Sequence, residues 1–167
     1  MNRKKANANK IKDKLLNTEI NPKNYYYIDF VPITFPNEDY SELSEYLNKD
    51  FKPHFAKKII FIAFTILYYY DSHVFLDDTD QKPLYPKLIN KDLRRIGLDK
   101  LAKLIKKIII ENWSALYIIF DDGNQFSIMV IEDGYDTYFK NLSKSSFKMI
   151  DQLISHQGLF LKKYINN

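Results

Sequence analysis

The sequence predicts an α+β domain, an antiparallel sheet packed with helices, and three stretches carry that expectation. LDKLAKLIKKIIIENW, from Leu98, repeats its apolar residues at helical spacing. ALYIIF, QFSIMVI and YDTYF, between residues 115 and 139, are short β-rich runs joined by Asp-Gly turns, a C-terminal three-stranded meander. IIFIAFTILYYY, from Ile59 to Tyr70, is twelve residues without a charge, whereas a membrane-spanning helix needs about 20. It reads as a buried core element, and no membrane span is expected.

Taken in order, residues 3 to 17 set Ala6, Ile11, Leu15 and Leu16 among Lys and Asn, a weakly amphipathic helix whose first turns, within 1–10, are expected to fray. NYYYIDFVPI, Asn24 to Ile33, is aromatic and β-branched, an extended segment ended by Pro32 and Pro36. A helix follows, capped by Asn37 or Asp39 with Glu42 three residues beyond Asp39, and Leu43, Tyr46 and Leu47 share its face. Phe55, Ile59, Phe61, Ile62, Ile66 and Tyr70 recur near helical spacing, so a buried helix is expected over about 54–69. HVFLD, His73 to Asp77, is a strand, and DDTDQKPLYP is loop by composition.

Asn90 can cap a short helical turn ending at Gly97. In the helix from Leu98, the residues Leu98, Leu101, Leu104, Ile105, Ile108 and Ile109 face inward, and Lys100, Lys103, Lys106 and Lys107 lie opposite. After the meander, SKSSFKMIDQLISHQG forms a last helix capped near Ser145 or Ser146, with Phe147, Ile150, Leu153 and Ile154 inward and Gly158 as its left-handed stop. LFLKKY then adds an edge strand or covers the sheet. No repeat, linker or low-complexity block interrupts residues 1–167, which form one domain.

Composition narrows the classes. The 13 Tyr and 12 Phe against 4 Gly and 6 Pro are the opposite of a disordered chain. The absence of Cys excludes disulfide frameworks and Cys-ligated zinc, and points to a reducing compartment. MNRKKANANKIKDKLLN has no apolar stretch of signal-peptide length, so no export signal is expected.

FDDGNQFSIMVIEDGYD holds five carboxylates, Asp121, Asp122, Glu132, Asp133 and Asp136. Asp122-Gly123 and Asp133-Gly134 are what tight hairpins demand, and consecutive turns of a meander with six-residue strands lie roughly 20 Å apart at opposite ends of the sheet. One ion cannot bridge them. Asp77, Asp78 and Asp80 offer too few ligands for a calcium loop, and His54, His73 and His156 show no metal-ligand spacing. A nuclease-like set of Glu132, Asp136 and Lys140 is of a kind that almost any acidic hairpin contains. There is no GxSxG, GxxxxGK[ST] or GxGxxG. No catalytic residue, cofactor or resident metal is expected.

Charge is segregated. Residues 87–107 carry eight Lys or Arg against two Asp, a balance of +6, whereas 108–139 carry six acids and no Lys or Arg, a balance of −6. Residues 71–80 add four Asp, and 38–50 hold five acids against Lys49. Two working surfaces follow. Asp77, Asp78, Asp80, Asp121, Asp122, Glu132 and Asp133, with Tyr135 and Tyr138 as anchors, suit docking on a basic protein, where charge steers and aromatics bury. Arg94, Arg95, Lys100, Lys103, Lys106 and Lys107, on the Lys-rich helix 91–107, with Arg3, Lys4 and Lys5 if those converge, suit nucleic acid or anionic lipid.

In its size, its lack of Cys and of export signal, its Lys-, Ile-, Asn- and Tyr-rich coding style, and its helix followed by a meander with acidic turns (DDG, EDG), the chain resembles the small single-domain immunity proteins of bacterial polymorphic-toxin and contact-dependent growth-inhibition systems. The resemblance implies a cytoplasmic, non-enzymatic inhibitor that binds a cognate protein toxin domain and occludes its active site or an adjacent surface. The net charge of +4 departs from that pattern, since partners of nuclease toxins are commonly acidic. A nucleic-acid-binding accessory protein is the alternative.

Overall fold

A computed structural model describes residues 10–14, 16–17, 24–33, 41–77, 85–111 and 114–164. The proposed caps Asn37 and Asp39, the acids Asp78 and Asp80, and the basic Arg3, Lys4 and Lys5 lie outside them. The expected α+β architecture is observed. One antiparallel sheet of six strands, in the order β2-β3-β4-β5-β1-β6, is packed with helices.

Helix α1 is described at residues 10–14 and 16–17. Strand β1, Tyr25–Asp29, is shorter than the extended segment expected. Asp29 Oδ1 accepts the Val31 N–H at 3.1 Å and turns the chain away. Helix α2, Ser41–Tyr46, runs through a π-helical turn, Leu47–Phe51, into the long helix α3, Lys52–Tyr69. Pro53 lies in the first turn of α3, directly after the π-helical turn. Strand β2, Asp71–Leu76, begins two residues before its expected start, and β3, Leu116–Asp121, β4, Phe126–Ile131, and β5, Thr137–Lys140, are the expected meander. Helix α4 is Leu98–Glu111, helix α5 is Lys144–His156, and β6 is Phe160–Lys163. LFLKKY therefore supplies an edge strand, paired to β1 and pinned by Lys162 Nζ to Asp29 Oδ2 at 2.7 Å.

Alternation along the strands makes two apolar faces. One carries Ile118, Phe120, Met129, Ile131 and Phe139, and it is covered by α3, α4 and α5 through Phe55, Ile59, Ile62, Ile66, Leu101, Ile105, Ile108, Ile150 and Ile154. Most of these side chains have almost no exposed surface, and burying one Leu, Ile or Phe contributes about 1.5–3 kcal/mol. The other face presents Phe75, Tyr117, Ile119, Ile128 and Val130, against which Ile11 and Leu16 of α1 pack. No helix among the described residues is long and apolar enough to cross a membrane.

Three local expectations are corrected. Phe61, read as inward, is 52% exposed on the outer side of α3, and Tyr46 and Leu98, the last residue of α2 and the first of α4, are also exposed at their helix ends. Residues 86–97 form turns and bends rather than a capped helical turn. The Asp92 carboxylate takes the N–H groups of Val74 and Arg94, and Leu93 N–H donates to the Val74 carbonyl at 2.7 Å. That segment thereby covers the exposed edge of β2 instead of coiling, a common protection of edge strands. The N-cap of α5 is Ser143, not Ser145 or Ser146: its hydroxyl accepts the Ser146 N–H while Ser146 Oγ accepts the Ser143 N–H. The chain ends α5 at Gly158, with φ 66°, as expected.

Candidate functional site

The β2–β3 register splits the acidic residues into two groups. Asp71 lies opposite Asp121 at one end of the two strands, and Leu76 opposite Leu116 at the other, with Leu116 in turn opposite Ile131. Asp71, Asp121 and Asp122 therefore share one end, and Asp77, Glu132 and Asp133 the other, about 17 Å away at the usual strand rise. Gly123 and Gly134 have φ of 84° and 62°, so both Asp-Gly pairs are turns that need the left-handed conformation. Among the described residues no group of three or more His, Asp or Glu could hold a metal ion.

At the Glu132 end the carboxylates are engaged by tyrosines of the second sheet face. Tyr117 donates its hydroxyl to Asp77 Oδ2 at 2.6 Å, and Tyr138 donates to Glu132 Oε1 at 2.9 Å. Burial, and after it these carboxylates, pushes both phenols well above their usual range. Tyr138 stacks on Tyr25 at 5.0 Å, and Lys140 Nζ stands over both rings. Burial lowers the Lys140 ammonium against the opposing pull of Glu132, and burial with the charge of Asp133 raises Asp136. Glu132 and Asp136 share a half-open concavity of about 570 Å³ with Tyr25, Tyr27 and Tyr164. The charge of Glu132 thus reaches Lys140, which stands over the Tyr25 and Tyr138 rings.

Tyr135 is placed differently from an exposed anchor. Its ring packs against Phe30, Phe51 and Phe55 at 4.8, 6.3 and 4.9 Å, and its hydroxyl donates to the Leu47 carbonyl at 2.6 Å. Burial pushes its phenol up to about 12. It holds the π-helical turn against the sheet.

The Asp121 end combines acid with exposed aromatic surface. Helix α3 finishes there, and Tyr68 and Tyr69 are 67% and 68% exposed. Tyr70 anchors the corner by stacking on Phe120 at 5.0 Å, its phenol pushed to about 12 by burial and then by Tyr69 and Asp122. The Arg94 guanidinium lies 4.9 Å over the Tyr68 ring and donates to the Leu67 carbonyl and Ser72 Oγ. Asp71 is exposed, and Asp121 is half-buried, with one oxygen accepting the Gly123 N–H at 2.9 Å. Tyr68 and Tyr69 escaped the sequence reading because an uncharged run is taken as buried throughout. The signal was the placement of YYY at a helix end against an Asp, since tyrosine keeps a wet tip on an apolar body.

The basic residues are also divided. Arg94 is committed to the helix end, and Lys107 pairs with Glu111 at 3.4 Å. Arg95, Lys100, Lys103 and Lys106 are exposed. No known family model, curated protein or solved structure matches this chain.

Proposed function

We propose that this chain is a toxin-neutralising immunity protein of bacteria, a non-enzymatic cytoplasmic binder that occludes a cognate toxin domain through the end of the sheet bearing Tyr68, Tyr69, Asp71 and Asp121. The observation that carries the reading is the juxtaposition there of the two most exposed large aromatics of the described residues with two carboxylates held opposite each other by strand register. Aromatic anchors and Arg dominate binding energy at interfaces, and acid around them steers a basic partner. The surface stands on a helix end and two paired strands, so little ordering cost is expected on binding. At the opposite end, Asp77 and Glu132 already satisfy tyrosine hydroxyls, which makes Tyr138 a weaker anchor.

The test is capture of the partner by the tagged chain from lysate of its own organism, with nuclease treatment, at low and moderate salt. The expected result is one stoichiometric protein that arrests growth when expressed alone and is silenced by co-expression of this chain. Asp71→Lys with Asp121→Lys should abolish both capture and rescue. A captured protein without growth inhibition removes the immunity reading, and unchanged capture by the double variant removes the surface.

The exposed Arg95, Lys100, Lys103 and Lys106 favour a second reading, a nucleic-acid-binding accessory protein. Its binding should weaken steeply as salt rises, with a slope set by the number of phosphates contacted. A flat salt response would eliminate it.

A further inference from the structure

Between the first turns of α4 and the irregular segment 85–96 lies an open concavity of about 550 Å³. That is within the range of about 300–1,000 Å³ typical of small-molecule sites. Its lining combines the apolar side chains of Tyr85, Leu88, Ile96 and Leu104 with Arg95, Lys100 and Lys103, and among the described residues includes no carboxylate. Leu104 is 5% exposed, whereas the three cations are exposed and have no ion-pair partner within 4 Å among the described residues. Lys107, one turn further along α4, is by contrast paired with Glu111 at 3.4 Å.

The position of the cations is unfavourable for α4 by itself. The first turns of a helix carry the positive end of its dipole and favour Asp or Glu. Lys100 and Lys103 add positive charge there, with Asp99 the one acid of the first turn. Arg95, just before the helix, adds a third. An anion bound among them would be attracted by all three side chains and by the dipole. The lining next to them offers apolar surface, which a fully hydrated inorganic ion cannot use. Both features are satisfied together by a molecule with one acidic head and an apolar body.

We propose that this concavity binds a small organic anion, a carboxylate or phosphate monoester on an aryl or short alkyl body, with the head on Arg95, Lys100 and Lys103 and the body against Leu88, Ile96 and Leu104. This proposal is independent of the toxin-binding surface, which lies on other elements.

The experiment is a heteronuclear NMR titration of the full chain with phenyl phosphate and, separately, octanoate, which distinguishes the two head groups. Either probe should shift the amides of Leu88, Ile96 and Leu104 saturably, with a Kd of about 1 mM or tighter. Benzyl alcohol and inorganic phosphate, each lacking one half of the pattern, should bind at least about tenfold more weakly. Arg95→Gln with Lys103→Gln should weaken the anionic probes about tenfold or more. Because both residues are exposed, the variant should keep its Tm within about 2 °C. Equal binding of benzyl alcohol reduces the concavity to an apolar patch, and equal binding of inorganic phosphate to a charge patch. No saturable shift with either anionic probe, or displacement of phenyl phosphate by a DNA duplex with steep salt dependence, overturns the proposal.

Discussion

Asp122 closes two structures with one carboxylate. Its Oδ1 accepts the N–H groups of Asn124 and Gln125 at 3.0 and 3.1 Å, which shapes the β3–β4 turn, and its Oδ2 takes the hydroxyl of Ser143, the N-cap of α5. Burial alone would raise this carboxyl, but the bonds from Ser143, Asn124, Gln125 and Ser146 outweigh it and hold the group below the usual carboxylate range. A carboxyl with a lowered folded value stabilises the fold above its unfolded value of about 4, and that contribution is lost as pH falls through the folded value. Asp122→Ala is therefore expected to cost about 1–2 kcal/mol in urea unfolding at neutral pH. The cost should shrink as the pH is taken below the folded value. Solvent near the turn keeps it from being larger. Asp121→Ala, which loses a turn bond on the exposed side, should cost about 0.5 kcal/mol or less. Equal losses for both variants, or a loss for Asp122→Ala that ignores pH, would show that the charge does not join the turn to the helix.

Helix α3 shows how far an element can be read from its residues. Its inward residues Phe55, Ile59, Ile62 and Ile66 follow a helical period and are buried as expected, but Phe61, Tyr68 and Tyr69 belong to the same uncharged run and face outward. Periodicity ranks faces by contrast, and a helix apolar all round offers none. The meander was legible because Asp-Gly supplies both the polarity and the φ its turns need, whereas the Ser143 cap was not, since three nearby serines are locally equivalent and Asp122, a distant residue, selects among them. The working surface was legible as acid plus aromatic, yet Tyr135 and Tyr138 belong to the interior and to the second face. Stability and binding should accordingly separate. Tyr68→Ala with Tyr69→Ala is expected to leave the unfolding free energy within about 0.5 kcal/mol per site and to cost at least about 2 kcal/mol of affinity for the captured partner. Tyr135→Ala should cost about 3 kcal/mol or more of stability, because it opens a cavity among Phe30, Phe51 and Phe55. Tyr135→Phe should cost about 1 kcal/mol for the bond to Leu47. Urea unfolding of the three variants, with titration of the partner, checks the separation; unfolding of the Tyr68 and Tyr69 variant would make those residues structural.

Across the whole molecule, tyrosine rings and hydroxyls tie the sheet to its surroundings, by ring stacking at the Asp121 end and by hydroxyl bonds at the Glu132 end. Of the 13 tyrosines, Tyr70 seats the α3–β2 corner, Tyr135 the π-helical turn, Tyr117 and Tyr138 the Asp77–Glu132 end, and Tyr25 the neighbouring strand β1. Burial raises all five phenols, with Tyr25, Tyr70 and Tyr135 pushed to about 12 and Tyr117 and Tyr138 further. A group whose folded value is raised favours the fold fully below its unfolded value, near 10 for tyrosine, and that stability is lost as pH rises toward the folded value. Because these residues stand at both ends and on both faces, their ionisation opposes the whole sheet rather than a single loop. Tm should therefore fall steadily from about pH 10 to pH 12. Phenolate absorbance of the folded chain should also lag that of the urea-unfolded chain over the same range. The Tyr138→Phe variant should lose part of that lag while Glu132 keeps its charge. Superimposable titration curves for folded and unfolded chains would mean that the buried hydroxyls bear no part of the stability, and that the apolar contacts of the rings hold the sheet by themselves.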